Sequence, residues 1–452
     1  MQLSDRYTSE PTVSVGILSG EVIRAELCGT YLCSGVEVSG PVEVRDTGDG
    51  SMEYDGAESF SLSFVPAGDD CSFVLYDVVI GVGFHWERRE DQRFAGELRF
   101  LFEGGRLTAV NVVPVETYLQ SVISSEMSAE ASPALLRAHA VISRSWLLAQ
   151  LKAERGSGDS CAEESPAPAP ADHDAPVPEE IIRWYDHDDH VNYDVCADDH
   201  CQRYQGITRQ TTPAVAEAVE ATRGIVLAYG GELVDARFSK CCGGVYERFE
   251  SCWEPVHHHY LDARRDSEGE DDFPDLTAED AARRWILGSP EAYCNTSDAG
   301  ILRQVLNDYD RETADFYRWQ VSYTAAALSA LVARRTGIDL GRITALEAVE
   351  RGTSGRIIRL RITGTARTLV LGKELEIRRA LSESHLYSSA FVVEPGEPDD
   401  SGLPSAFTLH GAGWGHGVGL CQIGAAVMGA RGYDFRAILS HYFIDADLKR
   451  LY

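Results

Sequence analysis

The sequence predicts an α+β protein in which a body rich in antiparallel strands carries one helical segment and, later in the chain, a helical insertion. Three observations lead to this prediction. Residues from about 11 to 115 alternate apolar and polar side chains over short runs that end at Gly and Asp clusters, as antiparallel strands do. Apolar residues then recur at helical spacing through residue 149. Helical and alternating patterns return, in that order, toward the C-terminus.

The composition is that of a globular protein with an acidic surface. The 452 residues are 44% apolar and 25% charged, which is enough to bury a sizeable core in two or more domains. A net charge of -30 argues against a nucleic-acid partner, because such binding depends on clustered Lys and Arg. No apolar run approaches the roughly 20 residues that span a bilayer, and MQLSDRYTSEP lacks a signal-peptide core. We therefore expect no membrane span.

Shifts in pattern divide the chain into five segments. Residues 11–150 combine the predicted strands with the helical segment. Residues 151–180 form a Pro-, Ala- and Glu-rich insertion that we expect to be disordered, because it has too little apolar surface to order itself. Residues 181–262 hold a Cys/His cluster and a Ser-x-x-x-Gly-Gly segment, and residues 263–345 a mostly helical insertion. Residues 346–452 contain paired strands and a glycine-rich loop.

Glu126 is predicted to lie where two helices meet. Leu119, Val122 and Ile123 share its helical face, so its carboxylate points along the same side as apolar groups. Ser132-Pro133 then has the form of a new helix start, with Ser as the cap and Pro in the first helical position. A carboxylate in this place is either buried or borders a cleft.

Such a carboxylate has two interpretations. Desolvation raises the pKa of a carboxyl group, and a Glu that stays protonated near neutral pH can donate a proton to a leaving oxygen. Alternatively, Glu126 caps a helix or pairs with Arg137 or Arg144. The helical pattern by itself favours this second, structural interpretation.

A run of acidic, His and Cys residues between Trp184 and Cys201 indicates a metal site. Our preferred ligands are His190, Cys196, His200 and Cys201, with His187 as a spare group, and mixed sulfur and nitrogen ligands favour zinc. Four protein ligands leave no position for water or substrate, so this zinc would be structural. The alternative is a solvated acidic loop with reduced cysteines.

Two glycine-containing segments are candidates for the lining of a cleft. Six glycines between His410 and Ala425 mark a loop whose backbone approaches something closely; Gly413 and Gly415 would shape it, and His416 and Gln422 would be available to a ligand. In the earlier segment, the Ser239 hydroxyl and the amides of Gly243-Gly244 suit carbohydrate hydroxyls.

The cysteines leave further alternatives open. Cys241 or Cys242 could act as a nucleophile, although no base is placed beside either of them by the sequence. A disulfide from this pair to Cys252 or Cys294 is an alternative. The count of eleven cysteines is odd, which does not fit a fully paired disulfide framework.

Taken together, these motifs resemble those of the family of stage II sporulation protein D and the amidase enhancers. The first motif is carried by Pro114, Glu116, Tyr118, Leu119, Glu126, Met127, Ala138, Ala140, Val141, Arg144 and Ser145. The second is Gly-Trp-Gly-His-Gly-Val-Gly-x-x-Gln-x-Gly-Ala, residues 413–425. Ser354-Gly355-Arg356, Arg378 and Trp253 also stand where the family has similar residues. His139 and Trp146 replace the family's usual Gln and Tyr.

The resemblance implies a function at the bacterial cell wall. Catalytic members of the family are lytic transglycosylases that cut peptidoglycan strands lacking stem peptides and leave 1,6-anhydro-muramyl ends. It implies that Glu126 is the acid/base and that Tyr118, Ser239, Trp414, His416 and Gln422 contact the glycan. One carboxyl group suffices, because the sugar supplies its own nucleophile. Some members carry a zinc held by His and Cys at similar spacing, and the family acts outside the cytoplasmic membrane.

Two other functions remain open at this point. Some relatives enhance a partner amidase, and the chain could likewise bind glycan without cleaving it. His139 and Trp146 leave the details of the cleft open in this respect. Zinc-dependent hydrolysis is the least favoured alternative, since a complete ligand set leaves no reactive water on the metal.

Overall fold

A computed structural model of the chain has the predicted α+β fold. Its strands form several sheets, nearly all antiparallel, and its helices pack against them. The structure describes residues 3, 7–81, 87–128, 131–151, 178–184, 190–198, 200–209, 212–269, 272–305 and 315–452. Most of the insertion predicted over 151–180 lies outside these residues, and so does His187.

The first third of the chain forms the large sheet that the alternating pattern predicts. Its strands are β1 (Thr12–Ser19), β2 (Val22–Cys33), β3 (Val36–Asp46), β4 (Met52–Tyr54), β5 (Ala57–Ser59), β6 (Leu62–Pro66), β7 (Ser72–Ile80), β8 (Arg88–Ala95), β9 (Glu97–Glu103) and β10 (Arg106–Pro114). Val13, Val15 and Phe100 are fully buried on the core face. β1 pairs antiparallel with β10, and β10 with β9.

The helices begin directly after β10. They are α1 (Val115–Glu126), α2 (Pro133–Gln150), α3 (Pro213–Ala221), α4 (Phe249–Cys252), α5 (Glu279–Leu287), α6 (Ala299–Val305), α7 (Ala325–Thr336), α8 (Glu374–Ala380), α9 (Gln422–Ala430) and α10 (Phe435–Tyr442), with short 3-10 turns at Gly206–Arg209 and His259–Leu261. The predicted cap of α2 is confirmed, since the Ser132 hydroxyl accepts from the Leu135 amide at 3.3 Å. Helix α2 is apolar on nearly every side, and it is buried at the centre of the main core.

The remaining strands form smaller sheets around this body. They are β11 (Glu180–Ile182), β12 (Val195–Cys196), β13 (Ile225–Tyr229), β14 (Glu232–Leu233), β15 (Phe238–Ser239), β16 (Arg318–Thr324), β17 (Ile343–Arg351), β18 (Ile357–Gly364), β19 (Thr368–Gly372), β20 (Phe391–Pro395), β21 (Ala406–Ala412), β22 (Leu420–Cys421) and β23 (Asp447–Arg450). β17, β18 and β19 are antiparallel neighbours, and β16, β21 and β20 form another sheet. Leu328, Leu360 and Leu409 belong to a second core between these two sheets.

The segment 263–345, which we expect to be mostly helical, also contains a strand. Helices α5, α6 and α7 lie in it, together with β16. The apolar residues Trp319, Val321 and Tyr323 alternate along β16 and pack on the second core. Because this period of two is short and lies between helical runs, the sequence pattern predicts a helix for the whole segment.

Short strand pairs position the candidate site. β15 pairs in parallel with β22, so Ser239 lies beside Cys421, and Cys241 forms an isolated bridge with Trp414. These contacts bring the Ser-x-x-x-Gly-Gly segment against the glycine-rich loop. β12 pairs in parallel with β1, which places the Cys/His segment at the edge of the large sheet. Within the described residues, we find no helix with the length and apolarity that a membrane span requires.

Candidate active site

A cavity of about 330 Å³ lies where the end of α1, the start of α8 and the glycine-rich loop meet. We call it the Glu126 cavity. It is lined by Glu126, Trp146, Trp184, His200, Cys201, Gln202, Arg237, Phe238, Cys252, Trp253, Glu374, Leu375, Arg378 and His416. Pockets with mainly apolar and aromatic walls and a few polar groups are typical ligand sites.

Glu126 is the last residue of α1 and is half-buried at the cavity wall. The backbone amide of Arg203 approaches its Oε1 at 3.4 Å, a long hydrogen bond. The alternative in which Glu126 pairs with Arg144 is not what the structure has, because Arg144 pairs with Glu116. The carboxyl group of Glu126 therefore faces a cavity, as the catalytic interpretation requires.

The Glu116–Arg144 pair is a buried structural element. Arg144 donates to the two carboxylate oxygens of Glu116 at 2.9 and 2.6 Å, and neither side chain is more than 5% exposed. Glu116 also accepts from the Gly224 amide at 3.2 Å and the Tyr452 hydroxyl at 2.7 Å. The pair thus joins α1, α2, β13 and the C-terminal residue, which explains these two positions of the first motif without a catalytic role.

Aromatic side chains form much of the wall of the Glu126 cavity. Trp146, Trp184 and Trp253 all line it, and Phe238 adds a fourth ring. The Arg237 guanidinium lies 4.3 Å from the centroid of Trp253 and is held by Asp235, with nitrogen and oxygen 2.8 Å apart. Flat aromatic faces with adjacent donors suit the apolar C–H face and the hydroxyl rim of a sugar ring.

His416 lines the same cavity as a neutral group. Its Nδ1 accepts from the Val418 amide at 3.0 Å, and its ring packs edge-on against Trp253 with centroids 4.9 Å apart. Burial, and then the positive charges of Arg237, Arg356 and Arg378, hold the pKa of His416 well below its ordinary value, despite an opposing backbone hydrogen bond to Phe238. His416 can thus position a ligand, but it adds no positive charge near neutral pH.

The glycine-rich loop is folded around the buried guanidinium of Arg356. This side chain is 1% exposed and donates to the Gly415 carbonyl at 3.1 and 3.2 Å and to the Cys242 carbonyl at 3.1 Å. Gly417 has φ +77°, and a Cβ there would lie 2.4 Å from the guanidinium. Glycine is therefore required at this position, and the predicted close approach of the loop backbone is to the protein's own Arg356.

A second acidic side chain, Glu374, borders the Glu126 cavity. It is 4% exposed, and Arg378 one turn later donates to it at 3.0 Å. Arg378 also donates to the Leu386 carbonyl at 2.6 Å. Glu374 is therefore paired, while Arg378 is held in position at the cavity wall.

The four predicted metal ligands form a cluster beside the cavity. One donor atom each from His190, Cys196, His200 and Cys201 lies within 4.8 Å of the others. His190 Nε2 is 3.6 Å from Cys201 Sγ, and His200 Nδ1 is 3.5 Å from Cys201 Sγ and 4.0 Å from Cys196 Sγ. A tetrahedral zinc with usual bond lengths requires N···S edges of about 3.6 Å, so the residues present could hold this metal.

Four of the predicted glycan contacts lie outside the lining of the Glu126 cavity within the described part of the chain. Tyr118 is fully buried and stacks on Tyr204 with centroids 4.9 Å apart. Trp414 packs between Phe316 and Tyr387, at 4.7 and 4.5 Å. Tyr118 therefore packs in the core, whereas Trp414 is partly buried between two aromatic rings.

Ser239 and Gln422 are the other two predicted contacts outside the cavity lining. Ser239 is 6% exposed, and its Cβ lies 3.1 Å from where a Cβ on Gly415 would be, so the hydroxyl is covered by the loop. Gln422 is 2% exposed, and its Nε2 is 3.2 Å from His139 Nε2. Gln422 therefore joins α9 to α2 in the core.

His139, which replaces the family's Gln, is the buried partner of Gln422. Its Nδ1 is 3.2 Å from the Ser143 hydroxyl. Burial, with a smaller effect of Lys240, lowers the pKa of His139 from 6.5 to about 3. The imidazole is thus a neutral hydrogen-bonding group of the core. Trp146, the second departure, instead lies in the cavity wall.

The structure disfavours both alternatives for the cysteines, a nucleophilic thiol and a disulfide. Cys241 and Cys242 are buried, and burial holds the pKa of each thiol well above its ordinary value, which disfavours a nucleophilic thiolate. Cys242 Sγ and Cys294 Sγ are 3.5 Å apart, too far for a disulfide bond. Every cysteine in the described part of the chain is a free thiol.

The sequence patterns do not predict several of the residues that line the cavity. Arg237, Trp184 and Glu374 line the cavity, but none of them belongs to a motif that predicts a contact with a ligand. Arg237 and Phe238 directly precede Ser239, so the Ser-x-x-x-Gly-Gly segment does border the cavity, but through these two residues and not through Ser239. Glu374 reaches the cavity through tertiary packing of α8, which local patterns cannot show.

Comparison with known proteins finds matches for two regions of the chain. Residues 103–229 match a family model described as Stage II sporulation protein, and residues 247–419 match a domain of unknown function (DUF8618). The first region spans β10, both helices around Glu126 and the Cys/His cluster. The second spans the insertion, the two smaller sheets and most of the glycine-rich loop.

Individual relatives agree with this assignment at low identity. The chain is 21% identical to Stage II sporulation protein D of Bacillus subtilis (strain 168) over 336 residues, 74% of each chain. It is 22% identical to Stage II sporulation protein D of Bacillus amyloliquefaciens over 341 residues, 75% of each. It is 22% identical to the Amidase enhancer of Bacillus subtilis (strain 168) over 241 residues, half of this chain but only 31% of that protein. The resemblance seen in the motifs is confirmed: residues 103–229 match the model of the Stage II sporulation protein family.

Proposed function

We propose that the protein is a peptidoglycan lytic transglycosylase that cleaves glycan strands lacking stem peptides, with Glu126 as its acid/base. The observation that carries this proposal is the position of Glu126, half-buried at an aromatic-walled cavity with a volume of about 330 Å³. Two relatives are named for sporulation and one for enhancing an amidase, which supports a role at the bacterial cell wall.

Each reaction step uses groups that the cavity provides. The carboxylic acid of Glu126 protonates the glycosidic oxygen, and the bond from that oxygen to C1 of the muramyl sugar breaks. The resulting carboxylate then takes the proton of the muramyl C6 hydroxyl, whose oxygen bonds to C1 and closes the 1,6-anhydro ring. The proton returns to Glu126, so no water is consumed and one carboxyl group completes the cycle.

The other cavity residues hold the substrate. Trp146, Trp184 and Trp253 offer faces to sugar rings, while Arg237 and Arg378 offer donors to hydroxyl and acetamido oxygens. Glu374 is occupied by Arg378, with 3.0 Å between nitrogen and oxygen, and so is a poor candidate for a second catalytic carboxylate. This arrangement favours the one-carboxyl reaction over two-carboxyl hydrolysis.

The same proposal assigns a structural zinc to His190, Cys196, His200 and Cys201. Their donor atoms are spaced as a tetrahedral ligand set requires, and four protein ligands leave no open coordination position. The metal would fix the segment that continues to Arg203, whose amide approaches Glu126. It would thus help to orient the acid without entering the reaction.

Mass spectrometry of denuded glycan strands tests the proposal. Wild-type protein should release products with anhydro-muramyl ends, which are one water lighter than hydrolysis products, and Glu126→Gln should release none. Glu374→Gln is the matched control, because it removes a carboxylate from the same cavity wall. It should retain anhydro products, although at a lower rate if Arg378 shifts.

Three other results would overturn parts of the proposal. Products with hydrated reducing ends that require both carboxylates would indicate a hydrolase. Strands that bind to wild-type protein but stay intact would indicate a non-catalytic glycan-binding enhancer, acting with a cell-wall amidase. Loss of cleavage on chelation, with the fold and the Glu126 cavity intact, would indicate zinc-dependent chemistry.

A further inference from the structure

A second group of metal-ligating side chains lies in the protein core, among residues to which the proposed reaction gives no role. Cys242, Asp266, Cys294 and Cys421 each offer a donor atom, and these four atoms lie within 4.8 Å of one another. All four side chains are buried, with exposures of 2%, 0%, 1% and 0%. We call this group the Cys3Asp cluster.

The cluster joins four separate parts of the chain. Cys242 follows β15, Cys421 ends β22, and Asp266 and Cys294 lie in loops on either side of α5. No two of these residues form a sequence motif with metal-ligand spacing. The group therefore exists only through tertiary packing.

The distances within the cluster match a tetrahedral site. Cys242 Sγ is 3.5 Å from Cys294 Sγ and 3.4 Å from Asp266 Oδ2. A zinc ion with usual bond lengths requires S···S edges of about 3.8 Å and S···O edges of about 3.5 Å. A disulfide would instead require sulfurs about 2.05 Å apart, which these positions do not approach.

The presence of Asp266 distinguishes a metal site from a group of buried thiols that only pack together. Its carboxylate accepts from the Tyr442 hydroxyl at 3.0 Å and the Cys294 amide at 3.1 Å. His441 Nε2 lies 3.5 Å away and would form an ion pair only as a protonated imidazole, and no Lys or Arg forms an ion pair with Asp266 among the residues that the structure describes. A buried carboxylate usually requires a cation or a metal. Thiols that only packed together as small apolar groups would not require a carboxylate beside them.

The surrounding backbone is shaped to accept this carboxylate. A Cβ on Gly424, in the first turn of α9, would lie 2.7 Å from Asp266 Oδ2 and 2.3 Å from the Tyr442 hydroxyl. The absence of a side chain at Gly424 therefore lets α9 pack directly on the cluster. Because Asp266 is 0% exposed, no hydration shell surrounds its carboxylate.

We propose that Cys242, Asp266, Cys294 and Cys421 bind a zinc ion at a second, structural site, separate from the Cys/His site beside the Glu126 cavity. Four protein ligands complete its coordination, so this ion has no open position for substrate. Cys242 and Cys421 lie outside the region 247–419 that matches the domain of unknown function, whereas Asp266 and Cys294 lie inside it. The ion would therefore cross-link that domain to the rest of the chain.

The second site would also support the rim of the Glu126 cavity. The Cys242 carbonyl accepts from Arg356, the side chain around which the glycine-rich loop folds. Arg237 and Phe238, which line the cavity, precede Cys242 by only a few residues. Loss of the ion should therefore loosen the cavity wall as well as the core.

Metal content of the purified full-length chain tests this proposal without any assay of activity. After expression in zinc-supplemented medium, wild type should retain two equivalents of zinc by elemental mass spectrometry. Cys196→Ser/Cys201→Ser leaves the Cys3Asp cluster intact and should retain one equivalent. Cys242→Ser/Cys294→Ser should also lose one, and Cys33→Ser, a buried cysteine of β2, should lose none.

Each contrary result would overturn the second site. It is refuted if Cys196→Ser/Cys201→Ser retains no metal while circular dichroism shows the wild-type fold. It is refuted equally if wild type retains no zinc, a measurement that needs no variant to fold. A Cys242–Cys294 disulfide in a peptide map of unreduced protein would replace the metal site with a covalent bond. None of these outcomes depends on whether glycan is cleaved.

Discussion

Replacing His139 by Gln should remove much of the loss of stability that we expect on mild acidification. In the fold, burial lowers the pKa of this imidazole from 6.5 to about 3. Between these two values the unfolded chain binds a proton that the folded chain does not, so stability must fall as the pH falls. The contribution of the neutral His139 to the stability of the fold is fully present above pH 6.5 and is progressively lost as the pH falls toward 3.

The magnitude follows from the same two pKa values. Going from pH 7.5 to pH 5.0 should cost the wild type about 2 kcal/mol through His139 alone, and about 4 kcal/mol by pH 3, at about 1.4 kcal/mol per pH unit over most of this range. Gln is uncharged in this range and can still reach the amide of Gln422. The variant should therefore lose about 2 kcal/mol less than wild type over the first interval.

Urea unfolding followed by circular dichroism at both pH values measures this difference. Acid also weakens metal binding, but that effect is common to both proteins and cancels in the comparison. Ser143→Ala is the matched control, because it removes a contact 3.2 Å from the imidazole yet keeps the titrating group. The reasoning is refuted if His139→Gln and wild type lose equal stability, or if Ser143→Ala behaves like His139→Gln.

Three more predictions follow from other contacts. Arg144→Met should destabilise the fold by about 3–5 kcal/mol in urea unfolding, because it leaves the Glu116 carboxylate buried without its ion pair; a change below about 1 kcal/mol would contradict this. Tyr118→Phe should alter stability by less than about 0.5 kcal/mol, since its buried hydroxyl has no hydrogen-bond partner among the described residues; a large loss would mean that the hydroxyl is bonded in solution. Chelating the zinc that we propose at the Cys/His site should reduce cleavage only as the segment around Arg203 loses protection from hydrogen exchange, and full protection with no cleavage would contradict a structural zinc.

Local patterns predicted those parts of the molecule that local physics controls. The helical period from Leu119 to Glu126 and the Ser132-Pro133 cap depend on neighbours within a few residues, and both were confirmed. The cluster of His190, Cys196, His200 and Cys201 also lies within a short stretch, so its members could meet without knowledge of the fold.

Tertiary packing determined what the patterns missed. The direction of a side chain such as Tyr118 depends on Tyr204, which no periodicity places beside it. Likewise, the glycines predict that the loop backbone approaches something closely, but they do not show that its neighbour is Arg356 from a distant turn. Asp266 and Cys421 meet only because α9 packs against the loop before α5, so the Cys3Asp cluster has no signature in the sequence.

The most direct test of the central claim is to measure cleavage rate and glycan affinity separately in Glu126→Gln. If Glu126 is the acid/base, affinity for denuded strands should stay within about threefold of wild type, because the aromatic walls and the arginines are unchanged. The cleavage rate should fall by about 10²–10⁴, the range that general acid–base catalysis usually contributes. A variant that cleaves at the wild-type rate, or that loses affinity and rate in equal proportion, would contradict the account.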